Sequence, residues 1–259
     1  MAKTNNILKK SVSSHKNKNF LITTFYSKKQ KRSFGFTLAE VLITLTVIGV
    51  VAAMTVPTLY SNFQYEKKTS NLKKAYSVLG QATKMSESQN GDYSTWDTSL
   101  EHKDFIDTYY APYFKIEKKC TSPQVCGYAN QAAWSNKTGN FGGFNYAGRV
   151  PFLTIDGIIY SISLRSVGSG QQHDTDYLYD FETIKTMAII VDVNGSAGPN
   201  KFGNDVFMFE RYLNGAVVPL GATLTEDVIK KDCSKDGDCL YCAEYLRRNN
   251  WRPPKNYPW

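Results

Sequence analysis

The sequence predicts an α+β fold in which a long N-terminal, membrane-spanning helix packs against a small antiparallel β-sheet head. Three observations predict this fold. Residues 41 to 64 contain no Asp, Glu, Lys, Arg or His, and the residues that follow have the periodicity of an amphipathic helix. The second half of the chain contains alternating apolar runs that are separated by turn residues, which is typical of antiparallel strands.

The net charge of +8 is unevenly distributed along the 259 residues. Residues 1 to 35 contain nine Lys or Arg and no acidic residue, whereas the rest of the chain has 22 basic and 23 acidic residues. The basic excess therefore lies in the N-terminal segment. Composition does not imply a nucleic-acid-binding surface.

The uncharged segment is long enough to cross a membrane, which takes about 20 apolar residues. The basic residues 28, 29, 31 and 32 come just before it, and the positive-inside rule predicts that they are cytoplasmic. Residues after about 60 are then extracytoplasmic. A cleaved secretory signal is the alternative, but the apolar run is longer than usual for one and no A-x-A site follows it.

The helix is predicted to continue through residue 90, beyond the apolar segment. Apolar side chains recur there at spacings of three and four: Leu72, Ala75, Tyr76, Leu79, Ala82 and Met85. Asn90-Gly91-Asp92 predicts its end. Pro57 lies inside this helix and is expected to kink it, because proline lacks the backbone donor that an interior position needs.

Residues 91 to 259 are predicted to form the head. Asp156-Gly157 lies between two alternating runs and predicts a two-residue hairpin turn. Further strands are expected at 186–193, 206–213 and 216–218, and a short helix at 103–110, with loops over the rest of 92–148. The segment 251–259 is expected to be irregular, with its aromatic side chains docked on the sheet.

Glu40 is a carboxylate at the beginning of the apolar segment, where a charge is costly. Thr37-Leu-Ala-Glu40 has the form of a capping box, which would satisfy free backbone donors at a helix start. A second interpretation is that a cut between Gly35 and Phe36 creates an α-amino group, which could pair with Glu40 of a neighbouring subunit.

The segment GFTLAEVLITLTVIGVVAAMTVP, residues 35–57, resembles the cleavage and methylation segment of type IV prepilins and type II secretion pseudopilins. The resemblance implies a pilin-like fold, cleavage by prepilin peptidase after Gly35, N-methylation of Phe36 and a role for Glu40 in assembly. Pro57 falls where the helix of this family commonly has a proline. A leader of 35 residues is long for the family.

The resemblance implies a structural subunit of a type II secretion pseudopilus or type IV pilus-like filament, and not an enzyme. Residues 1–35 are then a cleaved cytoplasmic leader, 36–90 a helix that spans the membrane in its first half, and 91–259 the head. The expected location is the bacterial inner membrane, in a single pass, and then a periplasmic or cell-surface filament. The expected partners are prepilin peptidase, other pilin or pseudopilin subunits and an inner-membrane assembly platform.

A different class of function also fits a single membrane anchor, namely a membrane-anchored extracytoplasmic domain that binds a ligand or catalyses a reaction. The chain has only three histidines, and none of them lies in a recognisable nucleophile or metal motif. The sequence therefore indicates no catalytic residues.

All five cysteines follow the apolar segment, where an oxidising compartment would allow disulfides. Close spacing favours a pair of Cys120 with Cys126, and of Cys233 with either Cys239 or Cys242. A zinc site or a redox pair at Cys239-Leu-Tyr-Cys242 is an alternative, as are inert thiols.

The sequence establishes no cofactor, and calcium is the candidate in DVNGSAGPNKFGNDVF, residues 192–207. Asp192, Asn194, Asn204 and Asp205 offer hard oxygen ligands on this Gly-rich segment. The segment is not an EF-hand loop. It is similar to the C-terminal sheet region of many pseudopilin-like proteins, some of which have calcium sites. The alternative is a loop between strands whose Asn and Asp side chains stabilise their own turns.

Overall fold

The computed structural model describes most of the chain after the leader, over residues 35–97, 99–137, 139–141, 144, 149–165, 186–211 and 215–259. The predicted leader, except for Gly35, and the end of the strand predicted at 206–213 lie outside these residues. The chain divides into two units, the first ending at Ala52 and the second running from Ala53 to Trp259.

The first unit contains the beginning of helix α1, which runs over Leu38–Asn90 and so ends in the second unit. The large apolar side chains in its first three turns are exposed. By length and composition α1 could cross a membrane, with a mean hydropathy of 2.2 over its most apolar 18 residues. Pro57 lies inside α1, as expected. The kink there stays a prediction.

In the second unit, the later turns of α1 pack against the other residues of that unit. Leu72, Ala75, Leu79 and Ala82 are at most 1% exposed, as the apolar spacing predicts. Met85 is an exception, because it is 51% exposed and Ser86 is fully buried instead. A step of four residues from Ala82 keeps the buried stripe on the same face at 3.6 residues per turn, so the packed position is 86.

Helix α1 ends at the predicted residue, Asn90. Gly91 follows with a φ of 82°, a left-handed conformation that favours glycine at a helix end. The side-chain amide of Asn90 donates to the backbone oxygen of Ser86 at 3.1 Å. The Asn-Gly pair therefore ends the helix for a specific steric reason.

Within the described residues, the main sheet has six antiparallel strands in the order β1-β4-β5-β6-β7-β8, and a separate two-stranded sheet pairs β2 with β3. The strands are β1 (Ile116–Lys119), β2 (Trp134–Asn136), β3 (Gly139–Phe141), β4 (Val150–Thr154), β5 (Ile159–Arg165), β6 (Thr186–Asp192), β7 (Val206–Arg211) and β8 (Val217–Pro219). Asp156-Gly157 lies in the β4–β5 connection, as predicted, but this connection has four residues, 155–158, and not the predicted two. The long helix and this sheet confirm the α+β, pilin-like fold class.

Among the described residues there are three shorter α-helices, α2 (His102–Tyr109), α3 (Glu226–Asp232) and α4 (Cys242–Arg248). Only α2 was predicted. The prediction of loops over the rest of 92–148 is wrong at β1, β2 and β3, which are three or four residues long and too short to give a periodic pattern.

The core lies around β6 and β7, where every residue of β7 is buried. Tyr76 of α1 stacks on Phe209 of β7 with ring centroids 5.9 Å apart. The C-terminal tail is irregular, as predicted, but its aromatic rings contact α1. Tyr257 meets Tyr65 with ring centroids 5.6 Å apart, and Trp251 meets Tyr76 at 5.6 Å. This packing fixes the C-terminus beside the helix.

Candidate functional site

The beginning of α1 forms a capping box between Thr37 and Glu40. The backbone N–H of Thr37 donates to Glu40 Oε2 at 2.8 Å, and the backbone N–H of Glu40 donates to Thr37 Oγ1 at 3.2 Å. The Thr37 hydroxyl also donates to Glu40 Oε2 at 2.9 Å. Thr37 precedes the first helical residue, so the two side chains satisfy donors that a helix start leaves free.

Gly35 and Phe36 come before the helix, and the Phe36 side chain is 89% exposed. The peptide bond between them is therefore accessible in an irregular segment. Glu40 is exposed as well, and over residues 35–97 its hydrogen bonds are made with Thr37. The carboxylate is left open to a cation from another molecule.

The surface of α1 beyond Glu40 is apolar and exposed. The exposed large apolar residues from 41 to 63 are Val41, Leu42, Ile43, Leu45, Val47, Ile48, Val50, Val51, Met54, Val56, Leu59, Tyr60 and Phe63. Such a continuous apolar surface marks contact with a membrane or another protein.

The predicted calcium ligands Asp192 and Asp205 lie at the two ends of the β6–β7 loop, and both carboxylates are fully buried. Asp192 Oδ2 accepts from the Tyr128 hydroxyl at 2.8 Å and from Trp134 Nε1 at 3.2 Å. Asp205 accepts from the backbone N–H groups of residues 200 and 201, at 3.0 and 2.7 Å. Asp205 therefore stabilises the loop directly, whereas Asp192 joins the start of the loop to residues 128 and 134.

Burial shifts the acidity of both groups. It raises the pKa of the Asp192 carboxyl well above its usual value, and the nearby charge of Asp205 raises that pKa further. Burial also raises the pKa of Asp205, although the backbone donors at Lys201 and Asn200 and the charge of Lys68 oppose the shift.

The other two predicted ligands do not converge on a free position. The Asn194 amide donates to the backbone oxygens of Ala197 and Gly198. Asn204 Oδ1 accepts from the ammonium of Lys68, which also lies 3.9 Å from Asp205 Oδ2. Calcium takes six to eight oxygen ligands. In this loop two side-chain oxygens, Asn194 Oδ1 and Asn200 Oδ1, are buried without a hydrogen-bond partner, which is fewer than calcium takes. The predicted calcium site stays a prediction.

No group of three or more His, Cys, Asp or Glu side chains is placed to hold a metal ion in the described segments. The arrangement instead agrees with the alternative of a loop that stabilises its own turns, joined to α1 by Lys68 and by Asn71. The Asn71 amide donates to the backbone oxygen of Val193 at 2.9 Å.

The cysteines form two disulfides, Cys120–Cys126 and Cys233–Cys242. Cys239 is a buried free thiol, and burial raises its pKa to about 11. The expectation of disulfides is confirmed, and of the two partners left open for Cys233 the structure has Cys242.

Sequence reasoning missed Lys68, Tyr128 and Trp134. A signal for Lys68 was present, since it lies four residues before Leu72 and so extends the buried stripe of α1 by one turn. A lysine on a buried helix face requires an anionic or oxygen-rich partner. Tyr128 and Trp134 gave no such signal, because their contact with Asp192 spans 58 residues or more.

Comparison with family models gives two matches, both within residues 30–135. A family model described as "Prokaryotic N-terminal methylation motif" matches residues 30–56. The model of a family of unknown function, DUF6613, matches residues 58–135. The chain is 34% identical over 77 residues to the type II secretion system core protein G of Vibrio cholerae serotype O1. That alignment covers 29% of this chain and 50% of the relative.

The chain thus spans about half the length of the curated relative that it matches. Comparison with solved structures gave no match. The motif and the relative confirm the resemblance to type IV pilins and pseudopilins.

Proposed function

We propose that this chain, which carries the N-terminal methylation motif of the type IV pilin and pseudopilin family, is a structural subunit of a pseudopilus or pilus-like filament. In this proposal prepilin peptidase cuts between Gly35 and Phe36, the new N-terminus is methylated, and the mature subunit joins the filament through α1. The membrane holds the precursor before assembly, with the leader in the cytoplasm and the head outside.

One observation carries the proposal. The motif coincides with an exposed capping box at the start of a helix whose apolar side chains face outward over about six turns. A soluble protein would bury such a surface, and an anchor alone needs no carboxylate at its start. Neighbouring α1 helices in a filament would cover the apolar side chains and offer a partner for the charge.

The geometry suggests how Glu40 would be stabilised both in the uncut precursor and in the assembled, cut subunit. In the precursor its carboxylate binds the Thr37 amide and hydroxyl, which keeps the charge hydrogen-bonded at the positive end of the helix dipole. After the cut, the α-amino group of Phe36 is a new cation. The Glu40 side chain of one subunit could pair with the α-amino group of the next, which would offset the cost of placing a carboxylate in lipid, about 2.5–3.5 kcal/mol.

A type II secretion pseudopilus is the favoured filament. Support comes from the relative, which is a type II secretion core protein, and from the match over 77 residues, which is longer than the methylation motif alone. The partners would then be other pseudopilin subunits, the peptidase and an inner-membrane assembly platform.

The substitution Glu40→Gln tests the assembly step. Glutamine keeps an oxygen acceptor for the capping box but removes the charge. We expect the variant to insert and to be cut normally, while its incorporation into sheared filaments falls by at least about tenfold, which corresponds to a lost interaction of about 1.4 kcal/mol. Immunoblots of membrane and filament fractions measure both steps.

Glu66→Gln is the matched control, because Glu66 is an exposed carboxylate on the same helix outside the apolar segment. It should assemble normally. A membrane-anchored ligand-binding or enzymatic domain would instead tolerate Glu40→Gln, so full incorporation of that variant would argue against the filament mechanism.

A further inference from the structure

We propose that Lys68 supplies the cation of the β6–β7 loop, so that this loop folds without a divalent metal ion. The inference concerns the stability of the second unit and does not depend on filament assembly. It gives a role to a residue of α1 that comes after the apolar segment assigned to the filament.

The position of the ammonium group is the first argument. Lys68 Nζ donates to Asn204 Oδ1 and lies 3.9 Å from Asp205 Oδ2, so it contacts two of the four oxygens that the sequence assigns to a metal. Its side chain is only 17% exposed and that of Asp205 is fully buried. A buried carboxylate requires a counter-charge or full hydrogen bonding, and the ammonium provides the charge.

The hydrogen bonds of the two carboxylates are the second argument. Asp205 Oδ1 and Oδ2 each accept one backbone N–H, from Lys201 and Asn200. Asp192 Oδ2 accepts two side-chain donors, and Asp192 Oδ1 accepts the backbone N–H of Asn194 at 3.3 Å. Of about four lone pairs on each carboxylate, these donors take two at Asp205 and three at Asp192, so few are left for a calcium ion, which takes six to eight oxygen ligands.

The third argument is that α1 fixes the lysine in place. Lys68 is one helical turn before Leu72, which is fully buried, and one position before Thr69, which is 8% exposed. Asn71 binds the same loop through the backbone oxygen of Val193. An ammonium on a packed helix is pre-positioned, so the loop does not depend on the supply of a metal.

Thermal unfolding of the full mature chain in detergent tests the proposal, with either millimolar CaCl2 or millimolar EGTA present. We expect the Tm of the wild-type chain to be the same in both, within about 1 °C. We expect Lys68→Met, which keeps the length and apolar stem, to lower the Tm in EGTA by about 5–10 °C, because it leaves Asp205 buried without its cation.

Lys73→Met is the matched control, since Lys73 is an exposed lysine on the same helix, and it should leave the Tm unchanged. A calcium-dependent rise of several degrees in the wild-type Tm would overturn the proposal, as would a Lys68→Met variant that melts like Lys73→Met. If Lys68→Met does not fold, the wild-type comparison still decides between a lysine and a metal, and Lys68→Arg should fold without calcium.

Discussion

Among single residues, the buried carboxylates are the groups whose behaviour depends most on the fold. Asp232 is a half-buried carboxylate at the end of α3. Its Oδ2 accepts the backbone N–H of Tyr241 at 2.7 Å, which joins the end of α3 to the start of α4. Burial raises the pKa of Asp232 to about 6, despite that hydrogen bond, and the negative charge of Asp238 adds to the shift. In the folded protein the protonated form of Asp232 therefore predominates below about pH 6.

Asp232→Asn is expected to remove part of the pH dependence of stability. Because the folded pKa is about 6 and the unfolded pKa is about 3.9, this group stabilises the fold below about pH 4, and that contribution is lost as the pH rises through about 6. Urea unfolding should show the wild type losing about 1–2 kcal/mol more than the variant between pH 4 and pH 7.

Asp227→Asn is the control for this measurement, because Asp227 is an exposed carboxylate of the same helix. Its stability curve should run parallel to that of the wild type. Parallel curves for Asp232→Asn as well would mean that Asp232 has an ordinary pKa in the folded protein.

Single residues also mark the limit of what the sequence predicts about the candidate site. The capping box could be predicted because Thr37 and Glu40 are three positions apart and interact within one helical turn. The hydrogen bonds of Asp192 and Asp205 could not, since a metal-binding loop and a self-stabilised loop have the same residue types. The contact of Lys68 with Asn204 favours the self-stabilised loop over the metal-binding loop. The two residues are 136 positions apart, so the sequence gives no sign of this contact.

Among the secondary-structure elements, α1 is linked to the sheet by a buried ion pair as well as by apolar packing. Arg211 of β7 is 1% exposed, and its guanidinium donates to Glu87 of α1. The guanidinium carbon lies 4.2 Å from the ring centroid of Tyr93 and 4.7 Å from that of Trp96. A cationic group is thereby held between a carboxylate and two aromatic faces.

Glu87→Gln is expected to destabilise the second unit by about 1–3 kcal/mol, because it leaves the buried guanidinium without its anion. Chemical denaturation of the full chain in detergent measures the loss. Glu66→Gln changes an exposed carboxylate on the same helix and should alter the free energy of unfolding by less than about 0.5 kcal/mol. Equal stability of the two variants would contradict a structural role for this ion pair.

Predictability at the level of elements depended on length and periodicity. The long helix, α2, the β4–β5 hairpin and β6 to β8 could be predicted within a few residues, because each has a repeating apolar pattern or a specific turn. Helices α3 and α4 have seven residues each and no such pattern, although the acidic residues in their first turns and basic residues in their last turns were a usable signal.

For the whole molecule, the five cysteines predict a defined number of reactive thiols. Two disulfides leave one thiol, Cys239, which is buried with a pKa of about 11. A thiol reagent should therefore detect no thiol in the native chain, one after unfolding without a reductant, and five after reduction. Three or five thiols in the unreduced, unfolded chain would show that the disulfides do not form as described.

The central claim for the whole molecule is that the chain is made as a prepilin and matures at Phe36. The most direct test is intact mass and N-terminal sequencing of the protein recovered from membranes of cells that have the matching peptidase. The proposal predicts a mature chain that begins with N-methylated Phe36. A chain that retains Met1, or one cut after residue 54, would contradict it, because the apolar segment would then be a simple anchor or an export signal.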